Sequence, residues 1–280
     1  MNAVVADEHR PNLRGRAGRM RGGRGSGRSA TGTVRLWGRH AVEAALANPR
    51  RTLHKLWATR EAAAGLADAV PAGLALEYAQ GADLARHGPR DAPHQGLVLE
   101  CGTLPDLLLS DVLEQVDGRP LVFLDQVTDP HNVGAVFRSA AAFGAAAVVT
   151  QDRHAPPESG TLAKSASGAL EVVPWVRVVN LARALDEVAK LGWWRIGLAG
   201  EAESEFADVL PSAPVCLVLG AEGEGLRHNV AAHCDVLARL PIRRAVESLN
   251  ISNAAAIALY EVAQRNARGR SNAAGGADPV

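Results

Sequence analysis

The feature that most constrains this chain is the regular alternation, from Pro120 onward, of short apolar runs with segments of helical period. LVFLD (121–125), AAVVT (146–150), VVPWVRV (172–178), WWRIGLAG (193–200), VCLVLG (215–220) and VLARLPI (236–242) read as strands. The segments 133–144, 161–170, 181–192 and 248–268 read as helices, the first closed by Gly144 as C-cap and the third by Gly192. Near-continuous apolar strands are buried on both faces, and intervening helices return the chain to the same edge. The expected class is therefore α/β with a mostly parallel sheet. Pattern alone predicts a plain, unknotted, doubly wound arrangement. Ligands of such sheets gather in the loops at the carboxyl ends of the strands.

Upstream, residues 34–100 form a second, smaller α/β unit. Gly38 opens a helix whose Ala41, Val42, Ala45 and Leu46 share one face, and Asn48–Pro49 ends it. LHKLWAT, LALEYA and GLVLE read as strands and AAAGLADAV as a helix. Residues 101–118 are a linker containing a short helix, and 119–268 are the larger unit. Residues 1–33 are low-complexity Arg/Gly/Ser with almost nothing apolar to bury, and 269–280 form a polar tail; both are expected to be disordered.

Net charge is zero, so overall electrostatics do not announce a polyanionic partner, but the distribution is uneven. The first 33 residues carry seven Arg against Asp7 and Glu8, a local charge of +5. Such an arm is either a solvated tail or a nonspecific grip on RNA phosphates. The three cysteines are far apart with no C-x-x-C, which predicts a reduced cytoplasmic protein without structural disulfides or bound metal. No apolar run is long enough to span a bilayer, and the N-terminal region lacks a secretory core. A mitochondrial transit peptide is the alternative, although the arm is Gly-rich rather than amphipathic.

Three loops at strand ends carry candidate chemistry. Asp129-Pro130-His131-Asn132-Val133-Gly134, then Arg138, follows the first strand. Asn132 stands where an N-cap belongs, Gly134 permits close approach of a backbone or ligand, and Arg138 can reach back toward the loop. A capped helix with a surface Arg explains the same residues. Gly220-Ala221-Glu222-Gly223-Glu224-Gly225 follows VCLVL and has neither the dinucleotide spacing nor a P-loop Lys. Glu222 and Glu224 would repel a pyrophosphate, so a ligand here lacks phosphate and carries positive charge; S-adenosyl-L-methionine fits. A turn kept for backbone geometry is the alternative. The third loop is Leu240-Pro241-Ile242 followed by Ser248-Leu249-Asn250-Ile251-Ser252. Ser248 or Asn250 either caps the last helix or faces a ligand, while Leu240, Ile242 and Leu249 offer an apolar wall to a flat adenine.

Together these segments resemble the signature of the SpoU family of RNA 2′-O-ribose methyltransferases: N-x-G-x-x-x-R at Asn132, Gly134 and Arg138, LVLGAEGEGLR, and S-L-N-I-S. GRHAVEAAL and His94-Gln95-Gly96 extend the resemblance over roughly residues 34–268. The most similar subgroup methylates one guanosine of 23S ribosomal RNA. The resemblance implies a SPOUT-type trefoil-knot catalytic domain, an N-terminal L30e-like RNA-binding domain, and a homodimer whose active site borrows residues across the interface. It implies S-adenosyl-L-methionine as donor, S-adenosyl-L-homocysteine as product and no metal. Backbone around Gly220, Leu240 and Leu249 would hold the adenine, with Ile242 and Gly223 beside it. Glu222, Ser248 and Asn250 would line the pocket, and Asn132 and Arg138 would stand at the ribose.

Arg138 is the family's candidate for assisting loss of the 2′ proton. A guanidinium is a poor base, so holding the adjacent phosphate and stabilising charge on the oxygen is the more conservative role. Relatives usually carry a small Gly/Ser loop between Pro241 and Ser248, where this chain has Arg243-Arg244-Ala245. Those cations either crowd the donor or grip RNA phosphate. His131 and Glu247 lie beside the site without an assigned role. A transfer-RNA methyltransferase, a resistance enzyme choosing another ribosomal nucleotide, and a non-catalytic RNA-binding assembly factor share the fold.

Overall fold

The structure, a computed structural model, describes residues 32–66, 69–88, 93–243 and 245–275. Almost all of the Arg/Gly arm, and Arg244, lie outside the described residues.

The N-terminal unit is built on a four-stranded mixed sheet. Its strands are β1 (Thr33–Trp37), β2 (Leu53–Ala58), β3 (Ala75–Tyr78) and β4 (Leu97–Gly102), in the spatial order β1-β4-β2-β3. Strand β4 runs antiparallel to both β1 and β2. Helix α1 (Arg39–Ala47) buries Ala41, Val42, Ala45 and Leu46, the stripe expected from the sequence. Strand β1 escaped the sequence reading because TVRLW runs straight into the turn at Gly38, where φ is +87°. The helix expected over AAAGLADAV is only α2 (Arg60–Ala64), capped by Thr59, whose side chain accepts from the Ala62 N–H, and it stops at Gly65. Helix α3 (Gly81–Leu84) is a single turn.

The larger unit is a seven-stranded, wholly parallel sheet. Strands β5 (Leu121–Leu124), β6 (Ala147–Gln151) and β7 (Trp175–Val178) extend it one way; β8 (Trp194–Leu198), β9 (Ser204–Glu205), β10 (Val215–Leu219) and β11 (Val236–Arg239) extend it the other. The order is β7-β6-β5-β10-β8-β11-β9, so β10 inserts between β5 and β8, and β11 between β8 and β9. Strand side chains alternate between faces. Val122, Leu124, Leu217 and Leu219 enter one core with α5 (Pro130–Ala142), α6 (Gly160–Ala166) and α9 (Ile251–Gly275). Leu121, Phe123, Cys216 and Val218 enter the opposite core with α4 (Leu109–Leu113), α7 (Leu181–Lys190) and α8 (His228–Ala231). Helix α9 buries Ile251, Ala255, Ala258, Leu259 and Val262 at helical spacing and packs on α5 and β10. It runs to Gly275, past residue 269 where the tail was expected to begin.

The two units share the first of these cores, because α6 packs on β1 and α1. Gly160 makes this possible: a Cβ there would stand 1.9 Å from Trp37 Cζ3. Beside it lies a buried ionic cluster. Arg51, from the loop after α1, donates to Glu171 through Nε and Nη2, the latter at 2.7 Å, and its Nη1 donates to Glu158 and to the Gly102 carbonyl. Asn48 Nδ2 adds a 2.7 Å bond to Glu171. Burial disfavours a charged Arg51, but its hydrogen bond to Glu171 and the charges of both glutamates outweigh it and raise the guanidinium's pKa above its usual value. The segment 101–118 is likewise tied down: Glu158 accepts the Leu104 N–H at 2.8 Å, and Leu107 pairs with Val176.

Candidate active site

The carboxyl ends of β8, β10 and β11 open onto a cleft of about 1060 Å³. Leu240–Ile242 after β11 and Val246–Leu249 before α9 line it together with the loops that follow β8 and β10, and α9 then packs on α5. Leu198, Leu219, Leu226, Leu240, Ile242 and Leu249 give this cleft an apolar lining.

All three glycines of the second loop have a backbone reason to be there. A Cβ on Gly220 would stand 2.0 Å from the carbonyl carbon of Gly225, so the loop folds tightly on itself. Gly223 and Gly225 have φ of +83° and +69°. The tight turn projects Glu222 toward the other two loops. Glu222 Oε1 accepts from Asn132 Nδ2 at 3.0 Å and from Asn250 Nδ2 at 2.6 Å, and Asn250 Nδ2 also donates to Asn132 Oδ1 at 2.9 Å. One predicted residue from each loop therefore meets in a single hydrogen-bonded cluster. Asn250 also caps α9, its Oδ1 accepting the Ser252 N–H at 2.9 Å.

Gly220, Gly223, Leu240, Ile242, Ser248 and Leu249 all line the cleft, as does Glu222. One expectation needs revision. The N-cap of α5 is Asp129, which accepts the His131 N–H at 2.9 Å with Pro130 in the first turn; Asn132 is released from capping and turns to Glu222. Of the two partners expected to approach Gly134 it is a backbone that does so, since a Cβ there would stand 2.4 Å from the Leu162 carbonyl oxygen of α6. Arg138 lies further along α5, exposed, outside the lining of this cleft and without a hydrogen-bonding or ionic partner among the described residues.

Sequence reasoning missed a supporting pair. Asp125, fully buried at the end of β5, accepts from Arg227 through the backbone N–H at 3.0 Å and Nε at 2.8 Å. Arg227 Nη2 also reaches Gln151 at 2.8 Å. The pair bolts the far end of the glycine loop to the ends of β5 and β6. Both residues sat at the ends of quoted motifs, LVFLD and LVLGAEGEGLR, and only their co-occurrence hinted at contact.

The lining chemistry suits a cationic, phosphate-free ligand with a flat apolar part. Glu201, Glu222 and Glu247 supply negative charge, and the one Arg lining the cleft among the described residues, Arg239, is engaged with the carbonyls of Ala202 and Glu203. Among the described residues, no group of three or more His, Cys, Asp or Glu is placed to hold a metal ion.

Residues 119–260 match the SpoU rRNA Methylase family, and residues 35–106 match the RNA 2′-O ribose methyltransferase substrate binding family. The chain belongs to the SpoU methylase family. It is 37% identical over 235 residues to the 23S rRNA (guanosine-2′-O-)-methyltransferase of Pseudomonas aeruginosa, covering 81% of this chain and 95% of that one. It is 39% identical over 237 residues to the enzyme of the same name from Ralstonia nicotianae, covering 82% and 95%. The fold is also that of the SpoU methyltransferase AviRb from Streptomyces viridochromogenes in complex with AdoMet (TM-score 0.70, 23% identity, covering 84% of this chain and 91% of that one). Residues 119–260 are thus a SpoU methylase domain, preceded by a substrate-binding domain.

Proposed function

We propose that this chain methylates the 2′-hydroxyl of a ribose in RNA, at a guanosine of 23S ribosomal RNA, in the cytoplasm. The Asn132–Glu222–Asn250 cluster at the rim of a carboxylate-bearing, apolar cleft carries this reading. The names of its Pseudomonas and Ralstonia relatives support the substrate, and the AdoMet complex of AviRb supports the donor.

Bound S-adenosyl-L-methionine would supply an electrophilic methyl group and leave as S-adenosyl-L-homocysteine. Leu240, Ile242 and Leu249 would face its adenine, with backbone of Gly220 and Gly223 at the ring edge. Glu222, already holding two side-chain amides, offers its charge to the cationic part of the donor. Ser248 and Asn250 fix the wall on the α9 side, and Asn132 orients the ribose. Alignment of the attacking hydroxyl is what these residues contribute, an effect that in ideal intramolecular systems reaches about 7–11 kcal/mol. Arg138 would hold the phosphate next to the target ribose and stabilise charge on its 2′ oxygen as that hydroxyl gives up its proton to solvent.

Because Arg138 does not line its own cleft, it serves the cleft of a second copy in a homodimer. Exposed Ile257 and Tyr260 on α9, the helix that packs against α5, give that dimer an apolar face. Arg243, exposed next to Ile242 of the cleft lining, would meet RNA phosphate. No helix among the described residues is long and apolar enough to cross a membrane.

The test is transfer of radiolabel from S-adenosyl-L-methionine to 23S ribosomal RNA, with the product mapped by 2′-O-methyl-sensitive sequencing. One labelled guanosine ribose is the expected result. Label on a base, or none on any RNA, refutes the proposal.

A further inference from the structure

A second cleft, of about 370 Å³, lies in the substrate-binding domain, lined by Arg39, Thr59, Glu61, His94, Gln95 and Gly96. The loop that forms it is strained and heavily braced. Gln95 and Gly96 both have left-handed backbones, with φ of +53° and +77°. A non-glycine residue held there costs on the order of 1–3 kcal/mol and persists only where its surroundings over-determine it. Here they do: Gln95 Oε1 accepts the Arg39 N–H at 3.0 Å, and the Gly96 carbonyl accepts the Thr59 N–H at 2.9 Å. A Cβ on Gly96 would stand 2.7 Å from Thr59 Oγ1. Strain maintained at a cleft is the mark of a loop shaped for a ligand.

The polar groups specify the ligand's chemistry. The Gly96 N–H donates to His94 Nδ1 at 3.1 Å, so the proton of the neutral imidazole sits on Nε2, which becomes a donor. The Arg39 guanidinium, whose Nε and Nη2 are taken by Glu43 and the Gly65 carbonyl, keeps Nη1 as a donor, and the Gln95 amide nitrogen adds another. Glu61 supplies an acceptor, and Arg39 is already paired with Glu43 at 2.7 Å, so a bare phosphate would find repulsion and a partly neutralised cation. Donors and an acceptor lining one small cleft match the edge of a nucleobase, and RNA readers seat unstacked bases with Arg and His as stacking planes.

We infer that this cleft seats one unpaired nucleotide of the RNA substrate, read through its base. The inference rests on the RNA substrate proposed above and adds a second reading point to it. Lys164, on α6 of the catalytic domain, donates to the Pro93 carbonyl beside the cleft, and the Arg51 cluster locks the same two units. The two clefts are therefore held in a fixed relation, so a base seated in one selects which ribose reaches the other.

The test compares the wild-type chain with His94→Ala and Arg39→Ala on a ribosomal RNA fragment, and repeats the assay on fragments carrying single abasic nucleotides. RNA affinity is read by fluorescence anisotropy and donor affinity by calorimetry. The expected result is a weakening of RNA binding, and a rise in its KM, of about 10-fold or more per variant, as one base contact carries. Donor affinity and kcat stay unchanged. One abasic position reproduces the loss in the wild type and adds nothing in the variants. Wild-type affinity in both variants, or abasic effects that add fully to theirs at every position, overturns the inference. Should the wild-type chain transfer no methyl group, the methyl-transfer proposal falls, while the affinity measurements still decide the cleft.

Discussion

Replacing Arg51 by Met removes a charge at the seam of the two domains while keeping much of the side-chain volume. The Arg51 side chain is 0% exposed and faces Glu158 and Glu171, which are 2% and 3% exposed. Without it, two buried carboxylates lose their counter-ion, and the Gly102 carbonyl loses a 2.8 Å donor. Removing one partner of a buried ion pair costs about 3–5 kcal/mol, because the remaining charge is uncompensated. Against a stability of about 5–15 kcal/mol for an ordinary domain, that is about a fifth of the total or more. For a chain of this size it corresponds to roughly 6–20 °C in Tm. Urea unfolding followed by tryptophan fluorescence measures the loss, since Trp37 lies at the same seam and its signal reports the undocking. Adding Glu158→Gln and Glu171→Gln to Arg51→Met is expected to restore more than half of it, because the penalty comes from stranded charge. A single variant within about 1 kcal/mol of wild type, or a triple variant no better than the single, would refute the electrostatic account.

The remaining predictions concern the site, the seam and the thiols. Glu222→Gln keeps an oxygen for Asn132 and Asn250 but deletes the charge, so donor affinity measured by calorimetry falls at least about 10-fold while Tm changes little. Gly160→Ala drives a methyl into Trp37 and the Arg35 carbonyl, and is expected to cost about 1–3 kcal/mol in urea unfolding. Arg138→Ala leaves Tm and donor binding unchanged and lowers turnover about 100-fold or more; near-normal turnover removes Arg138 from the mechanism. Burial pushes the thiols of Cys101 and Cys234 up from 9.0 to about 12. The unfolded chain then holds fewer protons than the native one between those values, so stability is intact below about pH 9 and is lost as pH rises toward 12. Cys101→Ala with Cys234→Ala should flatten that decline in the urea midpoint.

How much of this was legible beforehand depends on the range of the interactions. The parallel sheet and the α1 and α9 stripes follow from local periodicity, which burial of one helical face or of whole strands enforces. The site was legible for a different reason: each of its three loops carries its own backbone logic. Gly220, Gly223 and Gly225 make the tight turn, and Asn250 caps its helix. That Asn132, Glu222 and Asn250 converge on one another came from the resemblance, since 90 positions separate the first two. Nothing local marked β1, whose alternation is cut short by Gly38, or β9, which is only two residues long.

The seam between the domains was the least legible part, and the physical reason bears on function. Arg51, Glu158 and Glu171 are 107 and 120 positions apart, and each read singly is an ordinary surface charge. Their burial follows only from docking β1 and α1 against α6, which in turn needs Gly160 where any side chain would collide with Trp37. A flexible tether would let the substrate-binding domain capture RNA and leave the choice of ribose to the catalytic cleft alone. A buried ionic cluster does the opposite. It adds little net stability over an apolar contact of the same volume, yet it punishes any displacement that strands a charge. The segment 101–118, read as a linker, is pinned by Leu104 to Glu158 and by Leu107 to Val176, so it does not loosen the joint either. An enzyme that must pick one ribose among thousands with the same chemistry gains selectivity from such rigidity, because a base bound in the wrong register cannot be accommodated by bending at the seam.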